Sequence, residues 1–308
     1  MFYTACANVL VTLFYMIPAF LLKKTGKVSE EHLPTLSTLL IYICTPALEI
    51  SSFLALDFSW EHLLGMLGFF VATLILQSIF MLALYLILRK KYDDGKYRVM
   101  TIGSVLGNVG FFGLPIIRAL LPDNPEVACY CAMYMVSMNI LIFTVGVFCI
   151  TADKKYMSLR AALINPTVMG FLAAFPCYLF GLRNILPSTL IGAIQTLGSL
   201  STPLCMFVLG IRLASAPLKK AFTDIGAYII SLMKLLVFPI FCLAVISFFP
   251  VSYAFKASIT ILSGTPCASM ILGLAEIHHS NREIASNCIL VSTLLCIITI
   301  PLLTVIIS

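Results

Sequence analysis

The stretch 101–121 reads TIGSVLGNVGFFGLPIIRALL, and its chemistry follows from the helix it interrupts. Gly103, Gly107, Gly110 and Gly113 precede Pro115, with Asn108 among them. Glycine and proline at this density disfavour a continuous helix. Pro115 suits the first turn of a new helix, because the N–H it lacks is not needed there. A second stretch, ILSGTPCASMILGL at 261–274, carries Gly264, Thr265, Pro266 and Cys267 in a similar arrangement. Where a helix restarts, its first N–H groups are unpaired and about half a positive charge sits at that end. Two such starts facing one site would hold an anion, most simply a carboxylate. The candidate binding residues are therefore Asn108, Gly110, Gly113, Pro115, Thr265, Pro266 and Cys267. The competing reading is a pair of kinked packing helices, since glycine and proline are frequent in membrane helices.

Other polar residues in apolar surroundings each allow two readings. Asn139 is a candidate for substrate contact or for a hydrogen bond between helices. Thr45 and Thr202 each precede a proline, so their hydroxyls can bond carbonyls that the proline leaves free. Glu49 is expected either to take a proton or to be a wetted interface residue. Lys234 can pair with a carboxylate, bond the carbonyls of a broken helix, or neutralise a bound anion. Its place one turn before Pro239 favours the structural role. Gln77 is ambiguous. His278 and His279 lack a third ligand at zinc spacing, which points to a solvated loop. No phosphate-binding loop, zinc-protease or serine-hydrolase pattern is present. The eleven cysteines are scattered with no Cys-x-x-Cys pair, as expected of small packing residues. The sequence thus predicts no catalytic residue, no metal site and no cofactor.

The elements that must position these residues cross a membrane. Of 308 residues, 61% are hydrophobic and 10% charged, and the mean hydropathy is +1.06. That leaves too little polar surface to face water on all sides, since soluble domains are roughly a quarter charged. Ten apolar spans are expected, at 2–22, 34–55, 61–88, 99–121, 126–150, 162–181, 187–213, 222–249, 254–277 and 283–307. The first has no basic segment before it and is expected to be a retained helix. The loops after spans 1, 3, 5, 7 and 9 hold fifteen lysines and arginines, against Arg118, Arg183 and Lys256 on the other side. Cationic loops stay cytoplasmic, so both termini are expected outside. The net charge of +6 is then a topology signal and implies no nucleic-acid partner.

Four matches recur at one offset of 155–158 residues. Ile17-Pro18 resembles Phe175-Pro176, Thr45-Pro46 matches Thr202-Pro203, Glu126 matches Glu283, and Val136-Ser137 matches Val291-Ser292. Five spans per half is an odd number, so the halves must have opposite topology. Inverted repeats are a common construction of secondary transporters, with the substrate at paired helix breaks near the midplane.

These residues carry a family resemblance. The segments GNVGFFGLP at 107–115, CTPAL from Cys44, 234–239, and VSTLLCIITIPLL at 291–303 resemble the auxin efflux carrier family, which includes the plant PIN-FORMED exporters. The likeness spans essentially the whole chain, as a compact prokaryotic-type member. It implies an all-α polytopic protein of ten transmembrane helices in two inverted five-helix repeats, 1–150 and 162–308, joined by a short cytoplasmic linker at 151–161. Spans 1, 2, 6 and 7 would form a scaffold, and spans 3–5 and 8–10 a transport domain, with spans 4 and 9 crossing at the substrate. Asn108 and Pro115 match the family's crossover asparagine and proline in span 4, and Pro266 its proline in span 9. Homodimers in a lipid bilayer are implied as well. The plant exporters carry a long loop between spans 5 and 6; its shortness here removes any implied regulation by loop phosphorylation. Prokaryotic relatives are described as carriers of malate, malonate or similar acids. The function expected is an elevator-type carrier of small organic anions. The alternative is a sodium- or proton-coupled symporter of the bile-acid type, which would need carboxylates clustered at the crossing; almost none are there. A membrane enzyme or receptor would need convergent acid/base groups or a signalling domain, and neither is visible.

Overall fold

A computed structural model describes residues 1–215 and 218–307, which form helices throughout and no strand beyond one isolated bridge. The side chain of Lys219, one of the fifteen loop cations, and the terminal Ser308 lie outside the described residues. Among the described residues eight helices are long and apolar enough to cross a membrane: Phe2–Lys24, Glu30–Phe53, Trp60–Lys91, Glu126–Thr151, Lys154–Leu179, Ser188–Ser215, Ile225–Ile246 and Arg282–Ile307. The chain is therefore a multi-pass membrane protein. The expected linker at 151–161 is itself structured. Ala152 ends the preceding helix at φ 59°, and Asp153 and Ser158 cap the short helices Lys154–Tyr156 and Leu159–Leu163.

Two further apolar segments are broken, where the glycines and prolines predicted it. Helix Gly95–Gly103, capped by Asp94, stops, and the chain turns helical again at Val109. Helix Tyr253–Ser263, capped by Ser252, stops, and Ser269–Ile277 follows.

Pro115 takes the first-turn place expected of it, with one difference. It lies in the first turn of helix Leu114–Leu120, but a wide π turn, Val109–Gly113, already carries the chain from the break into that helix. Two other π turns, Leu40–Cys44 and Met233–Val237, have the same relation to Pro46 and Pro239. Proline cannot donate an N–H, and its ring collides with the carbonyl four residues back. Widening the turn by one residue relieves that collision without ending the helix. Thr45 N–H closes its π turn on Leu40 O, and Thr45 Oγ1 donates to the same carbonyl at 2.9 Å. A fourth π turn, Ile142–Gly146, is not followed by a proline.

The helices pack in two sets. Met16–Lys24 lies along Ser201–Ser215, and Thr45–Phe53 along Pro166–Leu179 and Ser188–Ser199. In the other set Trp60–Leu88 packs on Glu126–Leu141, Ile225–Leu232 on Arg282–Ile307, and Phe238–Ile246 on Tyr253–Ser263. The broken segments belong with the second set, and the sets meet where Phe2–Phe14 lies along Arg282–Ile307 and Leu114–Leu120, and where Glu126–Leu141 touches Thr45–Phe53 and Pro166–Leu179.

Candidate functional site

The two breaks meet. Asn108 N–H donates to Pro266 O at 2.7 Å, and Ala268 N–H donates to Leu106 O at 3.0 Å. These bonds flank an antiparallel bridge between Gly107 and Cys267. The pair without direct hydrogen bonds is the closely spaced one in such a ladder, so Gly107 has no room for a side chain. A Cβ there would collide with Thr265 Oγ1 and come within 2.8 Å of Lys234 Nζ. The pairing satisfies backbone groups that would otherwise be stranded inside the protein at several kcal/mol each. The residues that cross are thus 106–108 and 266–268, with Pro115 seven positions beyond Asn108.

Beyond the crossing, the half-helix starting at Val109 keeps free donors. Phe112 and Gly113 N–H groups both donate to Asn108 O at 3.2 Å. Those of Val109, Gly110 and Phe111 reach no acceptor among the described residues. The expected donor set narrows accordingly. Gly113 N–H is spent in the π turn, and Cys267 N–H is taken by Ser292 Oγ at 3.0 Å. Gly110 packs against Met135, and Gly113 against Leu262 and Thr265. Asn108, Thr265, Pro266 and Cys267 are all buried, so the crossing is closed to bulk solvent in this arrangement.

Lys234 is brought to the same place. It is 0% exposed, and its ammonium donates to Ser263 O at the end of helix Tyr253–Ser263. Its Nζ also lies 5.4 Å from the centre of the Phe238 ring. A helix C-terminus carries unpaired carbonyls and partial negative charge, so of the three roles expected for Lys234, the contact observed is with broken-helix carbonyls.

The remaining expected residues are spread around this centre. Asn139 is buried; its Nδ2 donates to Met135 O at 2.7 Å within its own helix, and its Oδ1 has no partner among the described residues. Gln77 Nε2 donates to Thr73 O and Ser137 Oγ, both at 3.0 Å, tying Trp60–Leu88 to Glu126–Leu141. Thr202 is half-buried on Ser201–Ser215. Glu49 is buried at 1% exposure, which overturns the wetted-interface reading: helices Pro166–Leu179 and Glu126–Leu141 cover it. His278 lies against Tyr156, and Arg282 bonds the His279 ring. Among the described residues no group of three or more His, Cys, Asp or Glu is placed to hold a metal.

Two contacts at the crossing escaped the sequence reading. Ser292, noticed only as a repeat match, fixes the second break through Cys267 N–H. Its repeat counterpart Ser137 serves Gln77 instead, so the symmetry of sequence is not kept in the bonds. Cys205 on Ser201–Ser215 lies 3.9 Å from Asn108 Nδ2. That places the crossing directly against the first set of helices, and an ordinary apolar cysteine gave no signal of it.

Paired helix breaks inside a bundle of membrane-crossing helices are a construction found among polytopic membrane transporters. The chain belongs to the membrane transport protein family, which includes the auxin efflux carriers; the family model matches residues 4–161 and 154–304. It is 26% identical over 304 residues to an uncharacterized transporter of Methanothermobacter thermautotrophicus, covering 97% of each chain. It is also 26% identical over 300 residues to an uncharacterized transporter of Methanocaldococcus jannaschii, covering 96% of each.

Proposed function

We propose that the protein is a secondary carrier of small organic anions, malate-like or auxin-like carboxylates, bound where the two broken segments cross. The observation that carries this reading is the pairing of 106–108 with 266–268, which leaves the N–H groups of Val109, Gly110 and Phe111 undonated beside Asn108. A carboxylate bound there accepts those N–H groups and the Asn108 amide, and meets the positive end of the half-helix. Thr265, Pro266 and Cys267 shape the opposite wall, and Asn139 reaches the site when its helix moves. Counted with the two broken segments, the chain has ten crossings in two inverted five-helix repeats. The first packing set is the scaffold, and the second the transport domain. The closed crossing against Cys205 suits an elevator-type cycle, in which the transport domain slides along the scaffold to expose the site on alternate sides. The working unit is a homodimer.

Asn108→Ala tests the site. Loss of a hydrogen bond to a charged group costs about 1.5–3 kcal/mol, or roughly a ten- to hundredfold weaker Kd. Ligand-induced thermal shift with malate, malonate and auxin measures the affinity, and a monodisperse size-exclusion profile checks folding. A folded variant that binds and transports like the parent would remove the anion from this crossing.

A further inference from the structure

Glu49 has no role at the crossing, yet a buried carboxyl is costly to keep. It sits on helix Thr45–Phe53 at 1% exposure, and neither carboxyl oxygen has a hydrogen-bond partner among the described residues. Among the described residues no cation pairs with it. Helix Pro166–Leu179 meets it at Gly170, where an added Cβ would stand 3.5 Å from Glu49 Cγ and 2.9 Å from Pro46 Cα. The titratable groups of that helix are Cys177 and Tyr178, and the Tyr178 hydroxyl is bonded to Ser59. Helix Ser188–Ser199 carries none. Helix Glu126–Leu141 contributes Glu126, Cys129, Tyr130, Cys131 and Tyr134. The Cys129 thiol is given to Ser52 O at 3.6 Å and that of Cys131 to Val109 O at 3.5 Å. Arg118 on Leu114–Leu120 donates to Ser52 Oγ at 3.2 Å, one turn outward of Glu49, and is itself exposed.

An ionised carboxylate without a partner is not sustained in such a place, so the packed arrangement holds the neutral acid. A carboxyl kept only to fill space would be replaced at no loss by methionine or leucine. The position of Glu49 supplies a reason to keep it. It belongs to the first packing set, while Cys129 and Cys131 beside it belong to the second. The thiol of Cys131 bonds the first residue of the half-helix that leaves the crossing. Glu49 therefore lies on the surface along which one set must slide over the other, one side chain from the substrate half-helix. Opening that surface admits water and lets the carboxyl ionise; closing it requires the proton.

We propose that Glu49 is a proton-binding site and that the carrier moves one proton with each anion. Glu49 takes the proton while its surface is open to one side of the membrane, crosses the closed state as the acid, and releases the proton when the surface opens to the other side. This rests on the carrier reading above.

Glu49→Gln tests it, because the amide imitates the acid in shape and cannot ionise. Infrared difference spectra between acidic and alkaline buffers should show a buried carboxylic-acid band in the parent that is missing from Glu49→Gln. In proteoliposomes at zero membrane potential, with the outside one pH unit more acidic, labelled malate should accumulate in the parent about tenfold, the ratio one proton per anion sustains. Malonate and auxin are tried in turn. Glu49→Gln should exchange the anion across the membrane but fail to accumulate it. Equal accumulation by both proteins overturns the proposal. So does a parent that moves the anion without accumulating it, or a gradient that changes only the rate. A parent that moves none of the three probes counts against the carrier reading for those anions. The infrared band then decides the proton site alone, and its absence overturns it.

Discussion

Lys234 shows how one buried charge can be structural. Its long stem crosses from helix Ile225–Ile246 to the end of Tyr253–Ser263, and its ammonium bonds Ser263 O in the break. The carbonyls there have lost the N–H partners that a continuous helix would provide. Lys234→Met removes the donor and leaves a buried carbonyl unsatisfied, which costs about 1–3 kcal/mol. The expected result is a melting temperature lower by several degrees, with anion affinity in the surviving protein close to that of the parent. A large loss of affinity at unchanged melting temperature would reassign Lys234 to the bound anion, which the nearness of Gly107 and Thr265 makes a real alternative outcome.

At the scale of elements, π turns decide where the half-helix aims. Val109–Gly113 carries one residue more than an α turn, which rotates the preceding N–H groups by about 100° relative to Leu114–Leu120. Pro115→Ala supplies the missing N–H and removes the ring, so the turn tightens and Val109, Gly110 and Phe111 turn away from Asn108. Uptake of labelled anion into proteoliposomes should fall severalfold while the size-exclusion profile and melting temperature hold. Parent-like uptake would mean that the direction of these N–H groups is irrelevant. The breaks themselves were legible in the sequence, because glycine, asparagine and proline act locally. The eight long helices were legible because a 20-residue apolar run has few other outcomes. The pairing of 106–108 with 266–268 was not legible residue by residue, since backbone bonds between distant segments leave no mark on side-chain identity. Pro115 was legible as a first-turn proline, while the π turn before it left no separate mark in the sequence. Glu49 was visible as an intramembrane carboxylate, but its burial depends on Gly170 and Cys131, which lie in other helices.

For the whole molecule, the contacts gather the connecting loops at two ends. At one end the Tyr253 hydroxyl meets Met1 Sδ at 3.1 Å, Arg183 donates to Ala55 O at 3.0 Å and lies 3.6 Å from Asp57. At the other, Asn281 Nδ2 bonds Ile150 O at 3.2 Å, Asn287 Nδ2 bonds Asp224 Oδ2 at 3.0 Å, and Lys220 approaches Glu283 at 3.8 Å. Arg212 pairs there with Glu276, and Arg98 fastens the loop to Cys149 O at 3.1 Å and to the carbonyls of Tyr92 and Asp93. The second end is the one that carries the cationic loops, so the charge asymmetry read from the sequence coincides with an asymmetry in space. Positive loops resist translocation, and the orientation we propose on that ground has this end in the cytoplasm and Met1 outside. Tyr3, 85% exposed, and Lys91, also exposed, report on the two ends. Tyr3→Cys should react with a membrane-impermeant maleimide in intact cells, and Lys91→Cys only after permeabilisation. Parent protein gives the background, set mainly by the half-buried Cys6 and Cys177. The reverse labelling pattern would invert the molecule. The charge rule would then have failed on a chain with fifteen loop cations on one side and three on the other, and Arg118 and Ser52 would open the path to Glu49 from the cytoplasm instead of from outside.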